Sequence, residues 1–250
     1  MMERIAAACV GVILLQAAHA ATPLHLYGPG GPLPAMQEAA AVFGRAHHVS
    51  MEVTAGPQQQ WAERAHADAD LIFSGSEVMM SGFIATLPDI DPTTVRALYL
   101  RPAAILVRPG NPAGITGVGD LLKFGSHRIL VVDGAGQQGL WEDVAGRLGS
   151  IASVQAFRSN IAKHAANSAE AKRLWTEDRS IDAWLIWNIW QVANPRLADQ
   201  VAIEPRYAIY RDSGIALTRR GNKRPEARQF IDFLVSPDGA AIFAKWGWRK

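Results

Sequence analysis

The chain has 250 residues, of which 49% are hydrophobic and 19% are charged, a balance typical of a packed globular protein. The formal net charge is only +2, and lysines and arginines are scattered. This pattern argues against a nucleic-acid-binding protein, which would carry a clustered basic surface. Beyond the N-terminus, no apolar segment of membrane-spanning length occurs in the sequence, so we expect a soluble mature protein.

Residues 1–20 have the pattern of a secretory signal peptide. Arg4 lies near the start, an apolar run covers residues 5–15, and Ala18-His19-Ala20 resembles a cleavage site. The run is shorter than the roughly 20 residues needed to span a bilayer, which disfavours a membrane anchor. We therefore predict a periplasmic protein of about 230 residues without disulfides, because Cys9 is the only cysteine.

Strand-like and helix-like segments alternate along the mature chain. Apolar or alternating runs predict strands at 24–27, 49–53, 70–73, 98–107, 128–132, 154–160 and 181–188, and one or two more within 207–222. Helical spacing of apolar residues predicts helices at 36–43, 60–67, 120–124, 140–149 and 168–175, and two more after Pro225 and Pro237. The fifth of these helices has Asn167 as its predicted N-cap.

This alternation predicts an α/β fold with mostly parallel sheets. Polar or glycine-rich loops follow five of the predicted strands, at 28–31, 54–57, 74–77, 134–139 and 187–188. In open α/β sheets, ligands bind just beyond the carboxyl ends of the strands. The loops therefore predict a ligand-binding cleft.

The loop at 134–139 matches the dinucleotide-binding pattern G-x-G-x-x-G through Gly134, Gly136 and Gly139. That pattern requires an acidic residue at the end of the next strand, but the predicted strand ends with Arg158 and Asn160. An arginine could instead accept the extra phosphate of NADP. The mid-chain position, the predicted export and the lack of hydride-transfer partners nevertheless favour general anion binding over nicotinamide binding.

Anion binding has a physical basis in these loops. A glycine loop that leads into a helix presents free backbone N–H groups at the positive end of the helix dipole. Glycine permits close approach of the ligand because it has no Cβ. Ser74 and Ser76 add hydroxyl donors, and Arg101, Arg158 and Arg211 near strand ends could add charge. Each feature taken alone also fits an ordinary turn or a solvated side chain.

Enzymatic motifs are missing from the sequence. The seven histidines show no zinc-binding spacing, no G-x-S-x-G occurs, and no carboxylate pair can be identified. We therefore predict a binding protein with no catalytic residues, metal or cofactor. Trp184, Trp187 and Trp190 recur every three residues and fit core packing. If the strand ends near Trp187, then Trp187 and Asn188 form part of the cleft wall.

Several longer motifs together resemble one family. They are YGPGGP, TAGPQQQW, ADLIFSGSE, LYLRPAAILVRPGNP, VDGAGQQGLWEDVAGRLG, FRSNIA, IDAWLIWNIWQVANP and KWGW. Over residues 24–248 the chain resembles the accessory colonization factor AcfC family of periplasmic type II solute-binding proteins, relatives of molybdate- and sulfate-binding proteins. The family more usually has a threonine where this chain has Gln138. The resemblance therefore does not carry over one hydroxyl contact to the ligand, and the ligand itself can differ.

The resemblance implies two α/β lobes around a cleft, joined by crossing strands at 98–107 and within 207–217. Lobe I would contain residues 21–100 and 213–250, and lobe II residues 101–212. A small anion, either an oxyanion or a small carboxylated or phosphorylated acid, would be captured by hinge closure. A membrane permease and a second copy of the chain are possible partners.

The predicted ligand-binding residues come from the loops and strand ends. The predicted hydrogen-bond donors are Gly30, Gly31, Ser74, Ser76, Gly136, Gln137, Gln138 and Gly139; Arg101 and Arg158 would supply charge, and Trp187, Asn188 and Tyr210 would complete the wall. Two alternatives stay open. One is a colonization-associated adhesin or surface antigen with a structural cleft, and the other is an exported hydrolase of phosphate or sulfate esters.

Overall fold

The computed structural model describes residues 22–250. The predicted signal peptide, residues 1–20, lies outside the described residues. Within 22–250, no helix combines the length and the apolar character needed to cross a membrane.

Strands and helices alternate as the sequence predicts. The strands are β1 (Leu24–Gly28), β2 (Met51–Ala55), β3 (Leu71–Ser74), β4 (Arg96–Val107), β5 (Ile129–Val132), β6 (Ile161–Ala165), β7 (Ala183–Trp187), β8 (Asp199–Val201) and β9 (Tyr210–Leu217). The helices are α1 (Leu33–His47), α2 (Ala62–Asp68), α3 (Glu77–Thr86), α4 (Val118–Leu121), α5 (Leu140–Ala145), α6 (Ile151–Asn160), α7 (Ser168–Glu177), α8 (Ile189–Ala193), α9 (Pro225–Val235) and α10 (Pro237–Lys245). The predicted α/β class is therefore confirmed.

The strands follow the order β2-β1-β3-β9-β4-β7-β5-β6, and β8 pairs with β4. Strand β1 pairs in parallel with β2 and β3, and β5 pairs in parallel with β6 and β7. The long strand β4 joins the two parallel groups: Arg96–Pro102 pairs with β9, and Ala103–Val107 pairs with β7 and β8. The result is two α/β lobes whose sheets meet along β4 and β9.

The core lies on both faces of these strands. Ile105 and Leu106 on β4 and Ile186 and Trp187 on β7 have no exposed surface, although successive side chains point to opposite faces of a strand. Helices cover both sides, so the strands read as continuous apolar runs rather than alternating ones. The carboxyl ends of β1, β3, β5, β6 and β7 are followed by loops instead of further core.

The predicted strand at 154–160 is wrong, because these residues belong to α6. The Ser150 side chain caps this helix by accepting a hydrogen bond from the Ser153 N–H at 3.2 Å. Ala156, Phe157 and Asn160 are buried at helical spacing, whereas the next strand is β6. A short apolar run cannot distinguish a strand from one buried helix face, and the Ser150 cap was the signal that decides it.

Helices α1 and α3 also differ from the prediction. Helix α1 continues past Gly44 and ends at His47, with His48 in the left-handed conformation at φ 55°. Gly44 does not end the helix. It allows the chain at Val49 to pack closely against α1, since a Cβ at position 44 would lie 2.6 Å from the Val49 carbonyl oxygen. Helix α3 was not predicted, because its sequence mixes apolar residues around the whole circumference.

The predicted N-cap of α7 is confirmed. The Asn167 Oδ1 atom accepts hydrogen bonds from the N–H groups of Ala169 and Glu170, each at 3.0 Å. This cap fixes the start of α7 directly after β6, at the carboxyl edge of the sheet.

Candidate ligand-binding cleft

A cavity of about 530 Å³ lies at the carboxyl ends of the strands, between the loops of the two lobes. One wall contains the loops after β1, β2 and β3 together with one face of α3. The opposite wall contains the loops after β5 and β6 and the start of α8. The volume is within the range of about 300–1,000 Å³ that is usual for small-molecule sites.

Arg101 on β4 lies at the point where three glycine loops meet. Cβ atoms added at Gly31, Gly75 and Gly136 would lie 3.2, 3.1 and 2.6 Å from its terminal guanidinium nitrogens. Its Nη2 atom donates a hydrogen bond to the Gly75 carbonyl oxygen. Glycine is required at Gly136 in particular, because any Cβ there would displace the guanidinium group.

Two tryptophans hold the same guanidinium group from its other sides. The Arg101 Cζ atom lies 4.6 Å from the ring centroid of Trp187 and 5.6 Å from that of Trp248. Both distances are within the range of cation–π attraction. The Arg101 side chain is therefore fixed in place, with only 2% of its surface exposed.

The charge of Arg101 has no counter-ion in the described chain. Among residues 22–250, no carboxylate oxygen lies within 4.0 Å of its nitrogens, and its buried Nε atom has no hydrogen-bond partner. Burial lowers the pKa of Arg101 to about 9, against the opposing effect of Asp212. Burying an unpaired cation costs several kcal/mol. A bound anion would supply the missing charge and the missing hydrogen-bond acceptor.

Helix N-termini add positive potential to the cavity. The loop 29–32, the residues at the start of α3 and residues 166–169 all line it, and each leads into α1, α3 or α7. Helix α1 has 15 residues and no side-chain cap at its N-terminus. The positive ends of three helix dipoles therefore point toward one space, which favours a negatively charged ligand.

Gln137 is the most buried polar side chain of the wall formed by the loops after β5 and β6 and the start of α8. Its Nε2 atom donates to Ser168 Oγ at 2.9 Å, and its Oε1 atom has no partner within the described part of the chain. Gln138 also lines the cavity, and its carbonyl oxygen accepts a hydrogen bond from Arg211 at 3.4 Å. Arg211 differs from Arg101 because it also has an acidic partner, Asp143, at 2.8 Å.

The structure brings six of the predicted site residues together at the cavity. They are Gly30, Gly31, Arg101, Gly136, Gln137 and Gln138. The other seven lie outside its lining; they are Ser74, Ser76, Gly139, Arg158, Trp187, Asn188 and Tyr210. Most of these seven side chains make contacts within the protein.

The two predicted serines and the predicted asparagine are occupied in this way. Ser74 Oγ accepts from the Gly214 N–H at 3.2 Å and so ties β3 to β9. Ser76 caps α3 by accepting from the Met79 N–H at 3.2 Å. Asn188 donates to the Gly247 carbonyl oxygen at 2.7 Å, which holds the C-terminal segment against the start of α8. These hydrogen bonds hold β3, the start of α3 and the C-terminal segment in place beside the cavity.

The remaining predicted residues lie farther from the cavity or behind it. Trp187 is fully buried against Arg101. Gly139 adopts φ 72° and begins α5. Arg158 is exposed on α6, with its Cζ atom 5.4 Å from the ring centroid of Trp141. Tyr210 is 45% exposed on β9.

Sequence reasoning missed several lining residues. Trp190 lines the cavity instead of Trp187, because the chain turns into α8 directly after β7. The three-residue tryptophan spacing contained this signal. Asn167 and Ser168 were recognised only as a helix start, and Gln58 and Thr86 lie on segments that had no predicted ligand contact.

The side chains of the cavity provide binding chemistry without an acid–base pair. Among its described lining residues, Arg101 is the one ionisable side chain. Within residues 22–250, no group of three or more His, Cys, Asp or Glu side chains could hold a metal ion. The cavity lining contains one cation, backbone N–H groups, amides and hydroxyls, together with apolar side chains such as Met79, Phe83 and Trp190.

Comparisons with known proteins agree with this description. The sequence model of a family described as bacterial extracellular solute-binding protein matches residues 24–249. Peb3 from Campylobacter jejuni has 35% sequence identity and a TM-score of 0.84, covering 91% of this chain and 99% of its own. A Peb3 structure with L-phospholactate bound has 36% identity and a TM-score of 0.85, with the same coverage of 91% and 99%.

More distant structures show the fold. The periplasmic molybdate-binding protein of Azotobacter vinelandii has 17% identity and a TM-score of 0.66, covering 91% of this chain and 99% of its own. The sulfate-binding protein SubI of Mycobacterium tuberculosis has 16% identity and a TM-score of 0.73, covering 91% and 86%. No curated protein matches the chain. The chain has the predicted two-lobed type II periplasmic-binding fold, and it belongs to the bacterial extracellular solute-binding protein family.

Proposed function

We propose that the protein is a periplasmic binding protein that captures a small organic anion in the cleft between its lobes. The observation that carries this proposal is Arg101, a buried cation at the meeting point of three glycine loops that has no counter-ion among residues 22–250. Membership of a solute-binding family and the similarity to Peb3 with L-phospholactate bound support it.

The size and lining of the cavity favour an organic acid over an inorganic oxyanion. A tetrahedral oxyanion has five heavy atoms and would leave most of a 530 Å³ cavity unfilled. Met79, Phe83 and Trp190 line the space beside the charged end. Such apolar surface gains free energy against C–H groups, which sulfate and molybdate lack. A small phosphorylated or carboxylated acid therefore fits better.

The contacts proposed for this ligand come from the six predicted residues that line the cavity. Arg101 would pair with the anionic group, Gly30, Gly31 and Gly136 would allow close backbone approach, and Gln137 and Gln138 would contribute amide groups. The Gln137 Oε1 atom has no partner in the described chain, so a ligand donor would satisfy it. Gln138 would adjust specificity, since the resemblance to AcfC proteins suggests threonine there.

Hinge closure would complete the site. We propose lobe I as residues 21–100 with 213–250 and lobe II as residues 101–212. The change of pairing partners along β4, between Pro102 and Ala103, supports a boundary close to this one. In type II folds the two crossing strands would carry the hinge, and the ligand would favour the closed state through contacts with both lobes.

The finer parts of the proposal rest on family resemblance. They are membership of the AcfC group, delivery of the ligand to an ABC-type permease, secretion through a cleaved signal peptide, and a homodimeric state. An adhesin role rests on the AcfC resemblance alone. A hydrolase is disfavoured because the described lining of the cavity contains no carboxylate or histidine to act as a general base.

A thermal-unfolding panel tests the proposal. We expect saturable stabilisation by L-phospholactate or another small organic anion, and weaker stabilisation by sulfate or molybdate. A ligand at about 100 times its Kd adds about 2.7 kcal/mol, which raises the Tm by several degrees. Absence of stabilisation by every organic and inorganic anion would contradict the proposal. Release of inorganic phosphate from the probe would favour the hydrolase instead.

A further inference from the structure

The sulfur of Met79 lies close to the one cation of the cavity. Met79 is half-buried in the first turn of α3 and lines the cavity. The Gly75 N–H donates to Met79 Sδ at 3.4 Å, and the Gly75 carbonyl oxygen accepts from Arg101 Nη2. A Cβ added at Gly136 would lie 3.4 Å from Met79 Cε and 2.6 Å from Arg101 Nη2. The thioether and the guanidinium group are therefore neighbours on the same two loops.

The four methionines within residues 22–250 differ in their access to solvent. Met36 and Met80 are core residues, 0% and 3% exposed. Met51 is partly exposed on the edge strand β2, where it lines a shallow groove beside α1. Of the four, Met79 is the one that lines the cavity. A small oxidant in solution therefore reaches Met51 and Met79 in the folded protein, and only Met79 lies beside Arg101.

Oxidation would change the chemistry at this end of the cavity. Hydrogen peroxide transfers one oxygen atom to a methionine sulfur. The sulfur lone pair forms the S–O bond as the O–O bond breaks, and the departing hydroxide takes the proton of the transferred oxygen and leaves as water. The sulfur is oxidised and the peroxide is reduced. The product is a polar sulfoxide, whereas the thioether is an apolar group and a weak hydrogen-bond acceptor.

A sulfoxide oxygen on Met79 would compete with a bound anion for Arg101. The buried Nε atom of Arg101 has no acceptor in the described chain. A neutral acceptor held beside the guanidinium group would satisfy part of its hydrogen-bonding capacity and would occupy space that the anion needs. We propose that Met79 is an oxidation site, and that its sulfoxide pairs with Arg101 and blocks capture of the anion. The effect on capture rests on the proposed function.

Peroxide treatment followed by tandem mass spectrometry and calorimetric titration tests the inference. We expect Met51 and Met79 to gain oxygen while the two core methionines stay unmodified. Saturating L-phospholactate, or the anion of the thermal panel that binds in its place, should slow the reaction at Met79 and not at Met51. The oxidised protein should bind that anion about tenfold more weakly or worse, because it has lost hydrogen bonds to a charged group, and should keep its ligand-free Tm.

Three results overturn the inference. They are an unmodified Met79 in protein whose Met51 is oxidised, an unchanged affinity after Met79 is oxidised, and a loss of affinity that appears only with oxidation of Met80 and a lower ligand-free Tm. Failure of every anion to bind the untreated protein contradicts the proposed function instead.

Two leucine variants assign the effect to one sulfur. Leucine is close to methionine in volume and has no sulfur to oxidise. Each variant is compared with itself before and after peroxide, so a change in its untreated affinity does not affect the result. Met79→Leu should lose less than about twofold in affinity, and the matched control Met51→Leu should lose about tenfold, like the native protein. Equal losses in the two variants contradict the assignment to Met79.

Discussion

Arg101 lies on β4 and Arg108 directly follows the end of that strand, seven positions later, and their surroundings differ completely. Arg108 donates to the carbonyl oxygens of Ile181, Trp175 and Asp178 at 2.9, 2.8 and 2.6 Å. Its Cζ atom also lies 3.7 Å from the ring centroid of Trp175. Arg101 donates to one carbonyl oxygen, that of Gly75, and its Nε atom has no partner in the described chain.

The contrast separates a structural cation from a candidate binding cation. Burial lowers the pKa of both arginines, so the direction of that shift does not distinguish them. The hydrogen bonds distinguish them, because the guanidinium group of Arg108 donates to carbonyl oxygens at the end of α7 and in the loop before β7. The Nε atom of Arg101, which lies beside the cavity, has no acceptor in the described chain. A buried cation that remains unsatisfied is costly, and a ligand is the simplest compensation.

Replacing Arg101 should produce the largest effect on binding. Arg101→Met removes the charge opposite the ligand anion, and loss of a buried charge partner typically costs 2–5 kcal/mol. We expect the affinity for L-phospholactate to fall about 30-fold or more in calorimetric titrations. The ligand-free variant should unfold at the same Tm or a higher one, since apolar replacement of a buried charge is often neutral or stabilising. Unchanged affinity would place the anion elsewhere.

Replacing Arg108 should reverse this pattern. Arg108→Met removes three hydrogen bonds and a cation–π contact at the end of α7, so we expect a loss of about 2–4 kcal/mol in the free energy of unfolding. Ligand affinity should change less than about twofold, because α7 lies between Arg108 and the cavity. Denaturant unfolding and calorimetry of the same preparation measure both quantities. If Arg108→Met instead lost much of its ligand affinity at an unchanged free energy of unfolding, Arg108 would act as a binding residue like Arg101, and the distinction between the two arginines would be wrong.

A smaller effect is expected from Gly136→Ala. The added Cβ would lie 2.6 Å from Arg101 Nη2, so the guanidinium group must move within its tryptophan contacts. We expect the ligand affinity to fall on the order of tenfold. Moving the guanidinium group need cost only about 1.4 kcal/mol of binding free energy to produce this loss. Gly119→Ala on α4 is the matched control, because its Cβ would have only ordinary contacts at 3.8 Å from Glu204. Equal affinities of the two variants would contradict the convergence of the loops on Arg101.

The smallest effect concerns pH. Burial holds the pKa of Arg101 at about 9 in the ligand-free protein, well below its ordinary value. A bound anion stabilises the charged form, so affinity is full below pH 9 and falls as the pH rises through that value. Phosphate esters do not titrate in that range, and the Arg101→Met variant should show no such decline. A flat profile from pH 7 to 10 for the native protein would mean that Arg101 stays charged throughout that range, and would contradict the lowered pKa.

The strands and their loops could be predicted from the sequence because local patterns determine them. The apolar runs of β3, β5 and β7 and the glycine loops after them indicate where a cleft must form. The choice among arginines could not be predicted, because it depends on burial. Arg101 and Arg158 both lie near apolar runs, but only tertiary packing encloses the first between Trp187 and Trp248.

The predicted site residues that lie outside the cavity lining have a similar explanation. Ser74 and Ser76 have the chemistry of ligand donors, but a strand pairing and a helix cap use their hydroxyls first. Short polar side chains compete for nearby backbone groups, and sequence alone does not show which partner is within reach. Trp190 was not predicted because the sequence does not show that the chain turns into α8 directly after β7.

The most direct test is a crystal structure of the protein with the organic anion that stabilises it most in the thermal panel. We predict anionic oxygens within about 3.2 Å of the Arg101 guanidinium nitrogens, in contact with the loops of Gly31, Gly75 and Gly136. An anion bound elsewhere, with the guanidinium group still unpaired, would contradict the assignment of Arg101 as the centre of the site.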